Sequence, residues 1–196
     1  MDDIDFGFLS TARHLHFSSI FLQPGISKSL PALFAKAKSV GLTTSLDPQW
    51  DPAEKWDVNL TELLPQLDVF LPNMAEFLLL TGSESFEEGI KKINEVSPNL
   101  MLIVKNGSEG AIGWSKGKFI HQPAFLNTQV VDCIGAGDSF NAGFIHAFIN
   151  GSSMEKCMEY GALTGAVSTT RTGGTGAFAS LEATRKIAAD NFKMTL

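Results

Sequence analysis

Four consecutive residues, Gly135-Ala136-Gly137-Asp138, combine two things that phosphoryl transfer requires. The glycines bring backbone close to an anion, and the aspartate can take a proton. The apolar-periodic stretch Asp138 to Ile149 predicts a helix opened by this turn. A helix N-terminus presents unpaired N–H groups and the positive end of the dipole, which suits an anion. Asp138 sits where a hydroxyl pressed against that anion could lose its proton. The same residues also read as a tight turn with an Asp capping a helix. Two other phosphate signatures are excluded. Phe140 stands where the third glycine of G-x-G-x-x-G belongs, and the chain contains no G-x-x-x-x-G-K-[ST] segment.

The elements that must position this turn follow from patterning. Strands are expected over Leu15 to Leu22, Thr43 to Asp47, Asp68 to Leu71, Leu100 to Lys105 and Thr128 to Val131. Helices are expected from Ile26 to Val40, from Leu60 to Leu67, from Asn73 to Thr81 and after Ser85, whose Glu87 and Glu88 fall in a positive first turn. Gly41 and Gly82 stop two of them. Ala111 to Trp114 and Phe119 to His121 flank Ser115-Lys116-Gly117-Lys118 and read as a hairpin. Two or three helices finish the chain. Strands alternating with helices predict an α/β fold in three α/β/α layers, its sheet mainly parallel with a late antiparallel hairpin. Neither repeat nor linker is visible, so residues 1–196 read as one domain.

Composition narrows the function classes. The chain has 196 residues, 44% of them hydrophobic and 18% charged, with a formal net charge of −6. That balance argues against nucleic acid or an anionic membrane as partner, so any phosphate must be held locally. No apolar stretch reaches the roughly 18 residues needed to span a bilayer. Two cysteines make no disulfide framework, and the opening Met1-Asp2-Asp3-Ile4-Asp5 lacks the basic start of a signal peptide. A cytoplasmic setting is the expectation. His14 and His16 read as structural, and no Cys/His spacing suggests zinc.

Asp132-Cys133-Ile134-Gly135-Ala136-Gly137-Asp138-Ser139-Phe140, continued by Asn141-Ala142-Gly143-Phe144, resembles the C-terminal signature of the ribokinase-like, PfkB-type carbohydrate kinases, D-[TC]-x-G-A-G-D-x-F-x-x-G. The resemblance implies that Asp138 is the general base and that the N–H groups of Gly135, Ala136 and Gly137 form an anion hole. Asn73-Met74-Ala75-Glu76 resembles the family's N-x-x-E motif. It implies a phosphate-side role for Asn73 and an indirect magnesium role for Glu76, whereas spacing alone also fits an N-cap with a first-turn acid. Leu102 to Ala111 resembles the family's V-[TK]-x-G-x-x-G turn, making Lys105, Gly107 and Gly110 nucleotide-pocket candidates. A positive-φ hairpin turn and a snorkelling lysine are the plainer readings.

Ser168 to Gly174 resembles the segment that borders the adenine in this family. It implies a monovalent cation, potassium, near Asp132, Ile134, Ser168, Arg171 and Gly173; Asp132 could instead pin the anion-hole loop. Asp47-Pro48-Gln49-Trp50-Asp51 resembles a D-x-N-x-R loop, with Gln49 in place of the Asn and Asp51 in place of the Arg. The implied activity is ATP-dependent phosphorylation of a sugar hydroxyl with magnesium. The resemblance runs from about Leu15 to Asn191 and maps to the later part of the family, without the lid and sugar-binding part. Two expectations follow: a kinase or its C-terminal portion, and a truncated nucleotide-binding or assembly module without catalysis. Uncovered apolar sheet would also favour association with a second copy.

Overall fold

Local sequence dictates most element boundaries in the computed structural model, which describes residues 4–195; the acidic opening Met1–Asp3 lies outside them. A short helix, α1 (Phe6–Leu9), precedes strand β1 (His14–Ser18). The expected strand over Leu15–Leu22 therefore ends early. Ser19 takes a left-handed φ of 58°, and Ile20–Leu22 coil into a 3₁₀ turn. The single helix expected over Ile26–Val40 is two, α2 (Pro24–Ser27) and α3 (Leu30–Ser39). Pro31, which has no N–H to give, fits the first turn of α3, where no helical donor is needed.

Strand β2 (Thr43–Asp47) is followed by α4 (Leu60–Leu63), β3 (Val69–Phe70), α5 (Met74–Thr81) and α6 (Phe86–Val96). Gly82 closes α5 at φ 56°, and the Ser85 hydroxyl accepts the Glu88 N–H at 3.2 Å to open α6. Strand β4 (Met101–Lys105) leads into the hairpin β5 (Ala111–Ser115) and β6 (Lys118–Gln122). Lys116 and Gly117 both have positive φ, 50° and 78°, the backbone that a two-residue turn between twisted strands requires. Three helices follow: α7 (Ala136–Ile149), α8 (Met154–Ser168) and α9 (Leu181–Phe192).

The fold is α/β. Its six strands form one sheet in the order β1-β2-β3-β4-β5-β6, parallel from β1 to β4 and antiparallel through the hairpin. The strand expected over Thr128–Val131 does not form. Thr128 and Gln129 bend, and Val130 and Val131 are 54% and 56% exposed. Their β-branched side chains face solvent, and the Val131 N–H is drawn instead to Thr169 O at 2.8 Å. β propensity without a packed face does not make a strand.

Contacts divide the chain into two compact units, Met1–Val104 with Trp114–Phe119, and Lys105–Gly113 with Ile120–Leu196. The first encloses a core of Leu33, Phe34, Leu46, Phe70, Phe77 and Leu102, with Trp114 packed against it. The second is built on α7 against α8, with Leu163, Val167, Ala177 and Ala188 at its centre.

Candidate active site

The second unit carries the signature. Gly135 is the N-cap of α7, at φ 75° and ψ 6°. A Cβ there would lie 2.9 Å from Gly174 Cα, so both the conformation and the space call for glycine. Helix α7 starts at Ala136, two residues before the expected Asp138, which puts Asp138 inside the first turn and exposed. Helical geometry gives the first-turn amides no carbonyl within their own helix. Of the amides expected to form the anion hole, that of Ala136 donates back to Cys133 O at 3.2 Å.

Asp132 holds the entry to this turn. Its Oδ1 accepts the Ile134 N–H and its Oδ2 the Gly173 N–H, each at 2.9 Å. These two N–H groups hold its carboxyl below the usual carboxylate range, against the opposing effect of burial and with help from the Cys133 N–H. The loop-pinning role is thus directly visible. The structure brings Asp132, Ile134 and Gly173 together. Ser168, almost fully buried at the end of α8, donates its hydroxyl to Gly165 O at 2.7 Å, and Arg171 turns its guanidinium to Thr170 O at 2.9 Å.

Lys105, the last residue of β4, donates from Nζ to Asn141 Oδ1 at 3.2 Å. Its ammonium also lies 3.7 Å from where a Cβ on Gly137 would sit. The turn beyond it is closed by the Asn106 N–H on Gly110 O at 2.8 Å, with Gly107 at φ 54°. Gly110, at φ 93°, is buried so tightly that a Cβ would come within 2.7 Å of Ala124 N. Sequence reasoning assigned no role to Asn141. Its signal was a polar residue in an apolar helical run, four residues after Gly137 and three after Asp138.

A cleft of about 390 Å³ opens elsewhere in this unit, between Arg171–Ala179 and α9, lined by Ala177, Ala183, Lys186 and Ile187 among others. Of the residues singled out from sequence, Arg171 alone lines it.

In the first unit, Asn73 and Glu76 form a capping box on α5. Asn73 Oδ1 accepts the Glu76 N–H at 2.9 Å, and Glu76 Oε2 accepts the Asn73 N–H at 2.8 Å. Asp47 ends β2 and accepts the Gln49 N–H at 3.2 Å. Asp51, which stands where the resemblance places an arginine, is buried and accepts three backbone N–H groups, from Ala53, Lys55 and Trp56, at 2.8 to 2.9 Å. Burial works to raise its pKa, yet the N–H groups of Trp56, Ala53 and Lys55 hold it below the usual range. It organises its own loop. His14 and His16 bond to Thr43 and Ser45 hydroxyls on the neighbouring strand. Among the described residues, no group of three or more His, Cys, Asp or Glu is placed to hold a metal, and no helix is long and apolar enough to cross a membrane.

The α/β fold has counterparts among known structures. The chain aligns with Arabidopsis thaliana ribokinase, solved with ribose and ATP, at TM-score 0.79 and 25% identity, over 96% of this chain and 59% of that one. It aligns with a Vibrio cholerae fructokinase variant, solved with fructose, ADP and potassium, at TM-score 0.73 and 26% identity, over 89% and 60%. These likenesses make the fold ribokinase-like. An uncharacterized sugar kinase of Archaeoglobus fulgidus is 31% identical over 163 residues, which is 82% of this chain and 62% of that protein. The model of the pfkB family carbohydrate kinases matches residues 1–180, and the chain belongs to that family. It spans somewhat under two thirds of the length of these relatives.

Proposed function

We propose that the protein works as an ATP-dependent sugar kinase. Asp138 takes the proton of a sugar hydroxyl, the hydroxyl oxygen attacks the γ-phosphorus, and ADP leaves. The observation that carries this reading is Asp138 in the first turn of a 14-residue helix entered through Gly135 at φ 75°. A base and an anion-binding helix end then act on the same phosphoryl group. Lys105 adds a cation beside that turn, and Gly107 and Gly110 shape the nucleotide side. Positioning and electrostatics are most of what such a reaction asks of a protein.

Magnesium suits this donor set as an ion carried mainly by the ATP phosphates, since it is commonly held by one or two carboxylates plus substrate oxygens. When bound it would neutralise charge building on the phosphates. The capping box gives Asn73 and Glu76 a structural task that stands without it. A monovalent cation would be held by backbone carbonyls around Asp132, Ile134 and Gly173, on loops that the Asp132 carboxylate fixes through the Ile134 and Gly173 N–H groups.

A second reading is a nucleotide-binding module of the same fold with little or no transfer. Sugar-dependent ADP release, measured over a panel of pentoses and hexoses, separates the two. In the kinase reading Asp138→Asn lowers kcat by about 10²–10⁴ and leaves ATP affinity nearly unchanged. ATP binding without sugar-dependent turnover favours the module, and absence of ATP binding overturns both.

A further inference from the structure

We propose that Asn141 is a positioning residue for phosphate binding: it anchors the Lys105 ammonium over the first turn of α7, where that ammonium meets the phosphate chain of the nucleotide. The proposal rests on the kinase reading above. Asn141 is 3% exposed and interrupts an otherwise apolar helical run, Phe140 to Phe144. An amide buried there is unfavourable unless it is hydrogen-bonded, and its Oδ1 accepts Lys105 Nζ at 3.2 Å across 36 residues of sequence. Gly137 and Asp138 precede it by four and three residues, so all three share one face of α7. The lysine that Asn141 holds therefore lies against the turn that bears the aspartate.

Electrostatics gives the arrangement its purpose. A helix N-terminus favours an anion, and Lys105 lies beside that end of α7 together with Asp138 of its first turn. A polyphosphate would be drawn to the ammonium and the helix end together. The neutral amide matters as well. Asn141 supplies an acceptor that fixes Lys105 without cancelling its charge, whereas a carboxylate at 141 would hold the ammonium in an ion pair.

The test is calorimetric titration of this chain with ATP, ADP and adenosine, for the wild type, Asn141→Ala, Asn141→Asp, Lys105→Met and the Lys105→Met/Asn141→Ala double variant. Asn141→Ala and Lys105→Met should each weaken ATP and ADP binding by about tenfold or more and leave adenosine binding unchanged. Asn141→Asp should also weaken ATP binding, although it restores a partner for Lys105. The double variant should bind ATP no more weakly than Lys105→Met alone, because Asn141 acts through the lysine. Equal losses for ATP and adenosine, additive losses in the double variant, or wild-type affinity in Asn141→Asp would overturn the proposal. Circular dichroism reports whether each variant folds. Should Asn141→Ala not fold, Asn141→Asp and Lys105→Met decide. A wild type that binds no ATP refutes the kinase reading itself, an outcome distinct from a wild type that binds and variants that bind equally well.

Discussion

Asp132 and Gly173 are tied by one hydrogen bond across 41 residues: the Gly173 N–H meets Asp132 Oδ2 at 2.9 Å while Oδ1 holds the Ile134 N–H. One carboxylate thereby fixes the loop entering α7 to the loop leaving α8. Asp132→Asn keeps the size of the side chain but removes its charge and one acceptor. The N–H groups of Ile134 and Gly173 depress the Asp132 pKa in the folded state, so its contribution to stability is present above the unfolded value of 3.8 and is lost as pH falls through the lower folded value. Thermal melts of wild type and Asp132→Asn should differ by a constant amount at neutral pH and converge below about pH 4.

Gly135→Ala forces a side chain into left-handed backbone at φ 75° and to within 2.9 Å of Gly174 Cα. The cost should be about 1–3 kcal/mol, read as a lower urea midpoint with an unchanged m-value. A midpoint equal to wild type would mean that this turn is not the fixed entry described here.

His14 gives the first unit a pH dependence of its own. Burial, then the nearby charge of His16, lower its pKa from 6.5 to about 4, with Asp68 acting the other way. The unfolded chain therefore takes up a proton that the folded one refuses. Stability should fall as pH drops from about 6.5 towards 4 and show no further His14 effect below that. Urea midpoints of wild type and His14→Gln, measured from pH 4 to 8, test the sign: the variant should show the shallower slope.

The two thiols should react differently. Cys133 is exposed beside the turn that enters α7, whereas Cys157 is buried and its thiol is pushed up to about 11 by that burial. A chromogenic disulfide reagent at neutral pH should titrate one fast thiol per folded chain, absent in Cys133→Ser. If the kinase reading holds, ATP with magnesium should slow that reaction.

How far the sequence could be read depended on where each residue's partners lie. Lys116–Gly117, Gly82 and Ser85 were legible because each acts on backbone within a few residues, and so was the capping box of Asn73 and Glu76. The end of β1 at Ser19 was not. Ile20-Phe21-Leu22 continues the apolar run, and only the left-handed φ of Ser19 breaks it. Val130 and Val131 have strand-forming side chains but no packed face. In the candidate site, the glycine turn and Asp138 stood out from local spacing. Asn141 did not, because its partner Lys105 lies far away in sequence. In sequence Asp51 reads only as a departure from the resembled loop, although its donors, Ala53, Lys55 and Trp56, are its own neighbours.

The hairpin has a consequence for how the chain is made. Trp114 to Phe119 belong with the first 104 residues, while the stretches on either side of them belong with the second unit. Phe119 meets Phe86 with ring centroids 6.1 Å apart, and Trp114 lies against the first unit's core. During synthesis that core cannot be completed when Val104 leaves the ribosome; it must wait until Trp114 has emerged. A gene cut after Val104 would yield a fragment without those aromatic residues, and supplying the remainder as a second polypeptide would have to restore them by adding the β5–β6 hairpin to the β4 edge of the sheet.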